Sequence, residues 1–233
     1  MSAEREKELA AATGVALVQH GMVVGLGTGS TAEIAIRQLG ERVKAGLDIQ
    51  GVPTSLRTEG LARDLGIPLT TLDDRPQVDL TLDGADEVDP NLALIKGGGG
   101  AHFREKVVAR ASRQEVILVD SGKLVKRLGE RFPVPVEVHR FGWRVAATEL
   151  SLLGCTPVLR EAGAQPFLTD NGNHILDCRF AGIDDPGELE RTLNNVPGVL
   201  ENGIFAGLVS LVVVGEGDSV RTLVPPPGTA RAL

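Results

Sequence analysis

Apolar positions recur in this chain at helical and strand spacings by turns. Between residues 3 and 20 they fall near Leu9, Ala12, Ala16 and Leu17, one face of a helix. Met22-Val23-Val24 is a short apolar run, and residues 32–43 return to helical spacing. The same alternation predicts strands at 49–53, 68–72, 78–82 and 115–119, with helices at 56–65 and 101–111. Short apolar strands alternating with amphipathic helices define the fold class as α/β, with a Rossmann-like, mainly parallel sheet.

The rhythm changes near residue 130. Strands are predicted at 134–139, 156–161, 174–179 and 199–201, with helices at 141–153 and 186–195. That order, β-α-β-β-α-β, is the split pattern of a ferredoxin-like α+β unit. Asp170-Asn171-Gly172-Asn173 marks a tight hairpin turn, because Asn-Gly supplies the positive φ angles it needs. Leu208–Val214 is a continuous apolar run of the buried parallel type and is expected to rejoin the first sheet. The expected organisation is therefore a discontinuous α/β domain over 1–130 plus 206–233, with an inserted α+β domain over 131–205. Pro225-Pro226-Pro227 should be an extended tail.

Composition narrows the partners. Of 233 residues 42% are apolar and 24% charged, which suits a globular chain with a real core. A net charge of −7 without a basic tract argues against nucleic acid and against an anionic membrane. An anionic ligand must then be held by local groups. No apolar run reaches the ~18–20 residues of a membrane span, and the charged start at residues 1–8 is unlike a signal peptide, so a cytoplasmic protein is expected. Cys155 and Cys178 lack metal spacing and read as reduced, buried thiols. His20, His102, His139 and His174 show no ligand or triad spacing, and no metal or cofactor is expected.

Four segments carry candidate chemistry. Gly25-Leu-Gly-Thr28-Gly29-Ser30-Thr31 joins a strand to a helix, where amides and hydroxyls at a helix N-terminus suit a small phosphate. The dinucleotide fingerprint fails there, since Ser30 replaces its third glycine and Asp48 precedes the next strand instead of ending it. Walker A fails for want of Gly-Lys-Ser/Thr. Asp83-Gly-Ala-Asp86-Glu87 follows a buried strand, which aims carboxylates into the crevice where such sheets bind ligands. Lys96-Gly97-Gly98-Gly99-Gly100 precedes a helix bearing Arg104-Glu105-Lys106. Bare loop amides beside a carboxylate suit proton transfer on a small anion, with Glu105 as general base; a surface ion pair with Arg104 or Lys106 is the alternative. Asp120-Ser-Gly-Lys123 ends another buried strand.

These segments, in this order, resemble the A-type ribose-5-phosphate isomerases. The match extends through PVPVEV at 133–138 and TDNGNHILD at 169–177. The resemblance implies interconversion of ribose 5-phosphate and ribulose 5-phosphate, in the non-oxidative pentose phosphate branch, without metal or cofactor. It places the catalytic glutamate on Glu105, moving a proton between sugar carbons 1 and 2 through an enediolate. Asp83 and Asp86 would assist ring opening and hold hydroxyls, and Lys96 would complete the catalytic set. Thr28, Gly29, Ser30, Thr31, Lys123 and Lys7 would bind substrate, and the amides of Gly97 to Gly100 would act as an oxyanion hole. A homodimer or higher homo-oligomer is expected. An aminosugar-phosphate deaminase and a non-enzymatic sugar-phosphate sensor are the alternatives. The 131–205 unit counts against the first, and the lack of a basic helix-turn-helix against the second.

Overall fold

A computed structural model describes residues 2–226. Along the chain run α1 (Ala3–Ala16), β1 (Val23–Leu26), α2 (Ser30–Lys44), β2 (Gln50–Pro53), α3 (Leu56–Asp64), β3 (Val78–Asp83), β4 (Glu87–Val88), β5 (Leu94–Ile95), α4 (His102–Ala111) and β6 (Ser112–Asp120). Then follow β7 (Val134–Val138), α5 (Trp143–Leu152), β8 (Thr156–Leu159), β9 (Glu161–Ala162), β10 (Gln165–Pro166), β11 (His174–Arg179), α6 (Pro186–Asn194), β12 (Val199–Asn202), β13 (Ile204–Phe205), β14 (Leu211–Glu216) and β15 (Ser219–Leu223). Two compact units emerge. One comprises the chain up to Ala85, Arg104–Lys123 and the chain from Leu208; the other comprises Asp86–Phe103 and Leu124–Gly207. Residues 86–103, 124–130 and 206–207 thus group with the second unit, although the hydrophobic pattern assigns them to the first.

The first unit is built on a six-stranded sheet in the order β15-β14-β6-β3-β1-β2, parallel except for β15. Val116–Val119 of β6 and Val212–Val214 of β14 are buried without a break, as parallel strands require. Ala10, Ala11 and Val15 of α1 and Ala35, Ile36 and Leu39 of α2 pack with Val24, Leu26, Leu80, Leu82 and Leu118 in one core. The chain leaves β1 for β2 on one side and returns to lay β3 on the other. That reversal puts a ligand crevice outside the carboxyl ends of β1 and β3.

The second unit holds an antiparallel four-stranded sheet in the order β12-β7-β11-β8, with α5 and α6 in the two crossovers. This is the ferredoxin-like arrangement. Val134, Val136, Val138, Leu150, Leu176 and Leu193 form its core together with Cys155 and Cys178, both free and buried. The Cys155 hydrogen bond and burial raise the Cys178 thiol above its ordinary range.

Several expectations change. Residues 68–72 form no ladder; Leu69 makes one isolated bridge to Gly51. The Asn171-Gly172 turn forms, with Gly172 at φ +76°, but it leads a loop into β11 and does not join two paired strands. Glu137 Oε1 holds it by accepting from Thr169 Oγ1 (2.9 Å), Asn171 Nδ2 (3.2 Å) and Asn173 Nδ2 (2.8 Å). A three-stranded sheet, β13-β5-β4, leaves no periodic signal in the sequence because its strands are two residues long. Of the expected proline tail, Pro227 lies outside the described residues.

Candidate active site

In the first unit the site begins at the carboxyl ends of β1 and β3. Asp83 ends β3 fully buried, and its Oδ1 accepts from the N–H of Thr28 (3.1 Å) and of Gly84 (2.7 Å). The carboxylate leaves no room for a side chain on β1's loop, because a Cβ at Gly27 would run into Asp83 Oδ1. Gly29, at φ +122°, turns the chain into α2, and no side chain caps that helix. The N-terminal dipole and the amides at Ser30 and Thr31 are therefore left without a side-chain cap, an arrangement suited to an anion.

The Thr28 hydroxyl lies within 2.8 Å of Thr54 Oγ1 and Ser55 Oγ, and 3.2 Å from Thr58 Oγ1. Thr58 in turn donates to the Gly27 carbonyl (2.9 Å), and Ser55 caps α3. This hydroxyl network knits the turns after β1 and β2. Sequence reasoning ties the segment 53–57 to the substrate edge without assigning Thr54 or Ser55 a specific contact, and it gives Thr58 no role, although a Ser/Thr cluster just past a buried strand is the available signal. A cavity of about 350 Å³ opens beside Thr28 and Gly29, walled in part by Glu33, Arg37 and Arg57. Glu33 accepts from both arginines (2.8 and 2.7 Å), and the Arg37 bond, with Arg57 beside it, holds its carboxyl below the usual range.

Lys123 sits half-buried on the 3₁₀ turn Ser121–Lys123 that ends β6. That turn is tied to α1 by Glu6, whose carboxylate accepts from Ser121 N–H (2.9 Å), Ser121 Oγ (2.8 Å) and Gly217 N–H (3.0 Å). Those bonds pull the Glu6 carboxyl below its ordinary value, the Gly217 amide contributing most. Lys7, next on α1, lies 3.9 Å from Glu4. Glu105 lies in the first turn of α4 and is 3% exposed; Lys106 beside it is equally buried. Glu105 is therefore not part of a solvated surface.

In the second unit the small sheet sets two further candidates side by side. Glu87 pairs with Ile95 across β4 and β5, so the next register positions are Asp86 and Lys96. The turn between these strands is closed by Asp89 Oδ1, which accepts from Asn91 N–H (2.9 Å) and Ala93 N–H (2.8 Å). Lys96 is 2% exposed, its N–H donates to the Gly203 carbonyl (2.8 Å), and its Nζ lies 5.4 Å above the Phe205 ring. Asp86 Oδ2 accepts from Gly98 N–H (2.8 Å), which ties the glycine loop back to the acidic segment. Glu87, the last residue of that segment, points elsewhere. It is buried and accepts from the N–H groups of Gly129, Arg131 and Phe132 (2.6 to 2.7 Å). The glycines are needed for space as well as for φ. A Cβ at Gly97 would meet the His102 ring at 2.7 Å, and one at Gly100 the Phe167 ring at 2.6 Å.

Among the described residues no three His, Cys, Asp or Glu side chains group as metal ligands, and no helix is long and apolar enough to cross a membrane. An uncapped helix N-terminus and a buried acid at the switch point of a parallel sheet, in a chain with clamped glycine amides, mark an α/β protein that handles a small anionic metabolite. The comparisons narrow this class. The model of ribose 5-phosphate isomerase A (phosphoriboisomerase A) matches residues 50–219, and the chain belongs to that family. The ribose-5-phosphate isomerase A of Parvibaculum lavamentivorans is 52% identical over 222 residues, 92% of this chain and 96% of that protein. The ribose 5-phosphate isomerase A structure from Methanocaldococcus jannaschii is 48% identical with a TM-score of 0.92, covering 96% of this chain and all of that one. A D-ribose-5-phosphate isomerase in complex with phospho-erythronic acid is 43% identical with a TM-score of 0.94 over the same share of both. The family match decides between the isomerase and the deaminase or sensor alternatives in favour of the isomerase.

Proposed function

We infer that this protein interconverts ribose 5-phosphate and ribulose 5-phosphate by proton transfer through an enediolate, with Glu105 as the base. The observation that carries the reading is the near-complete overlap with the isomerase that holds phospho-erythronic acid. A phosphorylated four-carbon acid presents a planar carboxylate where an enediolate would present its two oxygens.

In this reading the phosphate rests on the α2 N-terminus and the amides and hydroxyls of Thr28, Gly29, Ser30 and Thr31. Lys123 and Lys7 add positive charge. Asp83 and Asp86, together with Lys96, serve ring opening and hydroxyl binding. The Glu105 carboxylate takes the proton from carbon 2 and returns it to carbon 1. Of the Gly97 to Gly100 amides, Gly98 N–H is held by Asp86 and Gly100 N–H by the Gly97 carbonyl, which leaves Gly99 N–H to stabilise the enediolate charge, a preorganised-dipole effect that costs no reorganisation during the step. No metal enters, so activity should survive exhaustive chelation. The enzyme is proposed to work in the cytoplasm, as expected of a sugar-phosphate isomerase.

Glu105→Gln tests the assignment. The amide keeps the shape but cannot accept the proton, and general-base catalysis is typically worth ~10²–10⁴-fold. Turnover should fall by at least about that lower factor with the Michaelis constant little changed. A fully active Glu105→Gln enzyme would move the base to Asp83 or Asp86.

A further inference from the structure

Arg160 stands just past β8, and no step of the proposed reaction uses it. Its backbone is fixed on both sides: its N–H donates to the Ile175 carbonyl and its carbonyl accepts from Phe167 N–H, both at 2.9 Å. Its side chain is 14% exposed and forks onto Asp177, with Nε to Oδ2 at 2.9 Å and Nη2 to Oδ1 at 2.5 Å. The remaining arm, Nη1, donates to the carbonyls of Gly97 (2.8 Å) and Gly98 (3.2 Å). The guanidinium carbon lies 5.9 Å from the centre of the Phe167 ring, the ring that fills the space a side chain at Gly100 would need.

A single cation therefore grips the glycine loop by its carbonyls. The loop's own amides are divided. Gly98 N–H is used on Asp86 and Gly100 N–H on the Gly97 carbonyl (3.0 Å). Gly99 is exposed, and its N–H carries no hydrogen bond among the described residues. That N–H belongs to the same peptide group as the Gly98 carbonyl. A guanidinium on the oxygen of a peptide draws charge through the amide and strengthens its N–H as a donor. It also removes the freedom that a run of glycines otherwise has.

We propose that Arg160, held by Asp177, is a positioning residue for the isomerisation: it fixes and polarises the Gly98–Gly99 peptide so that Gly99 N–H is aimed at the developing oxyanion. This rests on the proposed enediolate reading. It goes further in giving a task in the chemical step to a residue of the second unit that the proposed reaction does not otherwise use.

The test is Arg160→Met, with Arg160→Met/Asp177→Leu beside it. The double change removes both charges, which folded proteins tolerate better than one unpaired charge. In whichever variant melts near the parent temperature, turnover should drop about tenfold or more while the Michaelis constant for ribose 5-phosphate stays within about threefold, as expected for loss of a transition-state contact. Inhibition by phospho-erythronic acid should weaken by a factor close to the loss in turnover. Arg160→Lys, which keeps one charge but not the fork, should recover only part of both losses. The pH profile of kcat/KM should not move, since Glu105 is untouched. Folded variants with turnover within about twofold of the parent would overturn the proposal. So would an equal weakening of substrate and phospho-erythronic acid, the mark of a merely structural role. Failure of the enediolate reading itself shows elsewhere, as complete transfer of a carbon-2 deuterium to carbon 1 by the parent enzyme with none in the solvent.

Discussion

At the scale of single residues, burial separates the groups that the sequence could only line up. Glu105, Asp83 and Lys96 are charged residues at most 3% exposed, a state that globular proteins rarely give such side chains without a task. Their identities were legible from neighbouring motifs, but their burial was not. The pattern Arg-Glu-Lys at 104–106 reads equally well as a solvated helix face, and only packing shows that Glu105 and Lys106 are both enclosed. Gly27 illustrates the opposite case, a position whose constraint lies wholly in space. A methyl added there would overlap Asp83 Oδ1 and come within 2.6 Å of the Asp83 Cα, so Gly27→Ala must displace either the carboxylate or the strand end. Overpacking of this kind costs about 1–3 kcal/mol. Gly27→Ala should lower the melting temperature by several degrees and impair turnover together, because the atom displaced is a proposed catalytic carboxylate. Calorimetry with steady-state assays on the same sample checks this; an unchanged melting point with full activity would show that the turn yields freely.

At the scale of elements, the long and periodic ones were legible. The α2 and α6 helices, the buried runs of β3, β6 and β14, and the β-α-β-β-α-β order all appear where hydrophobic spacing puts them. The missed elements share a physical cause. β4, β5 and β13 are two residues each, too short to carry any period; Asp89 closes the turn between β4 and β5, and β13 is placed by its pairing with β5. β15 is mostly exposed and lacks an apolar run. The tie between α1 and the Lys123 turn was equally invisible, since Glu6 looks like any charged residue on a first helical turn. Its carboxyl is held below the ordinary value of 4.5 chiefly by the Gly217 and Ser121 amides. A depressed carboxyl stabilises the fold above its unfolded value, and that contribution disappears as pH falls through the folded one. Glu6→Gln should therefore lose stability at neutral pH and show a shallower decline below pH 4.5 than the parent. Melting temperatures of both proteins across the acid range decide it; parallel curves would mean that Glu6 titrates alike in folded and unfolded chains.

At the scale of the whole molecule, the fold supplies a parallel sheet with a switch point and a ferredoxin-like unit that clamps the glycine loop. The second unit also bears an edge strand, β8, at the end of its sheet order. Val158 on that strand is 59% exposed, and Leu152 on α5, which packs against β8, is 75% exposed. An edge that pairs with no further strand among the described residues, flanked by exposed apolar side chains, invites a second copy, for which a two-fold axis pairs like with like. We propose a homodimer or a larger assembly containing one, formed through this edge. Light scattering should give at least twice the chain mass of 24.5 kDa for the parent, and Val158→Asp should lower it. A monomeric parent would contradict the assignment.

The central claim is that a carboxylate moves a proton through an enediolate. Ribose 5-phosphate carrying deuterium at carbon 2 tests it most directly, with product and solvent analysed after partial conversion. The account predicts that part of the deuterium reaches the solvent and part reaches carbon 1, because a proton on Glu105 has time to exchange before it is returned. It also predicts that Glu105→Gln slows washout and product formation together. Complete transfer of the label to carbon 1, with none in the solvent under any condition of turnover, would point to a hydride shift and contradict the account.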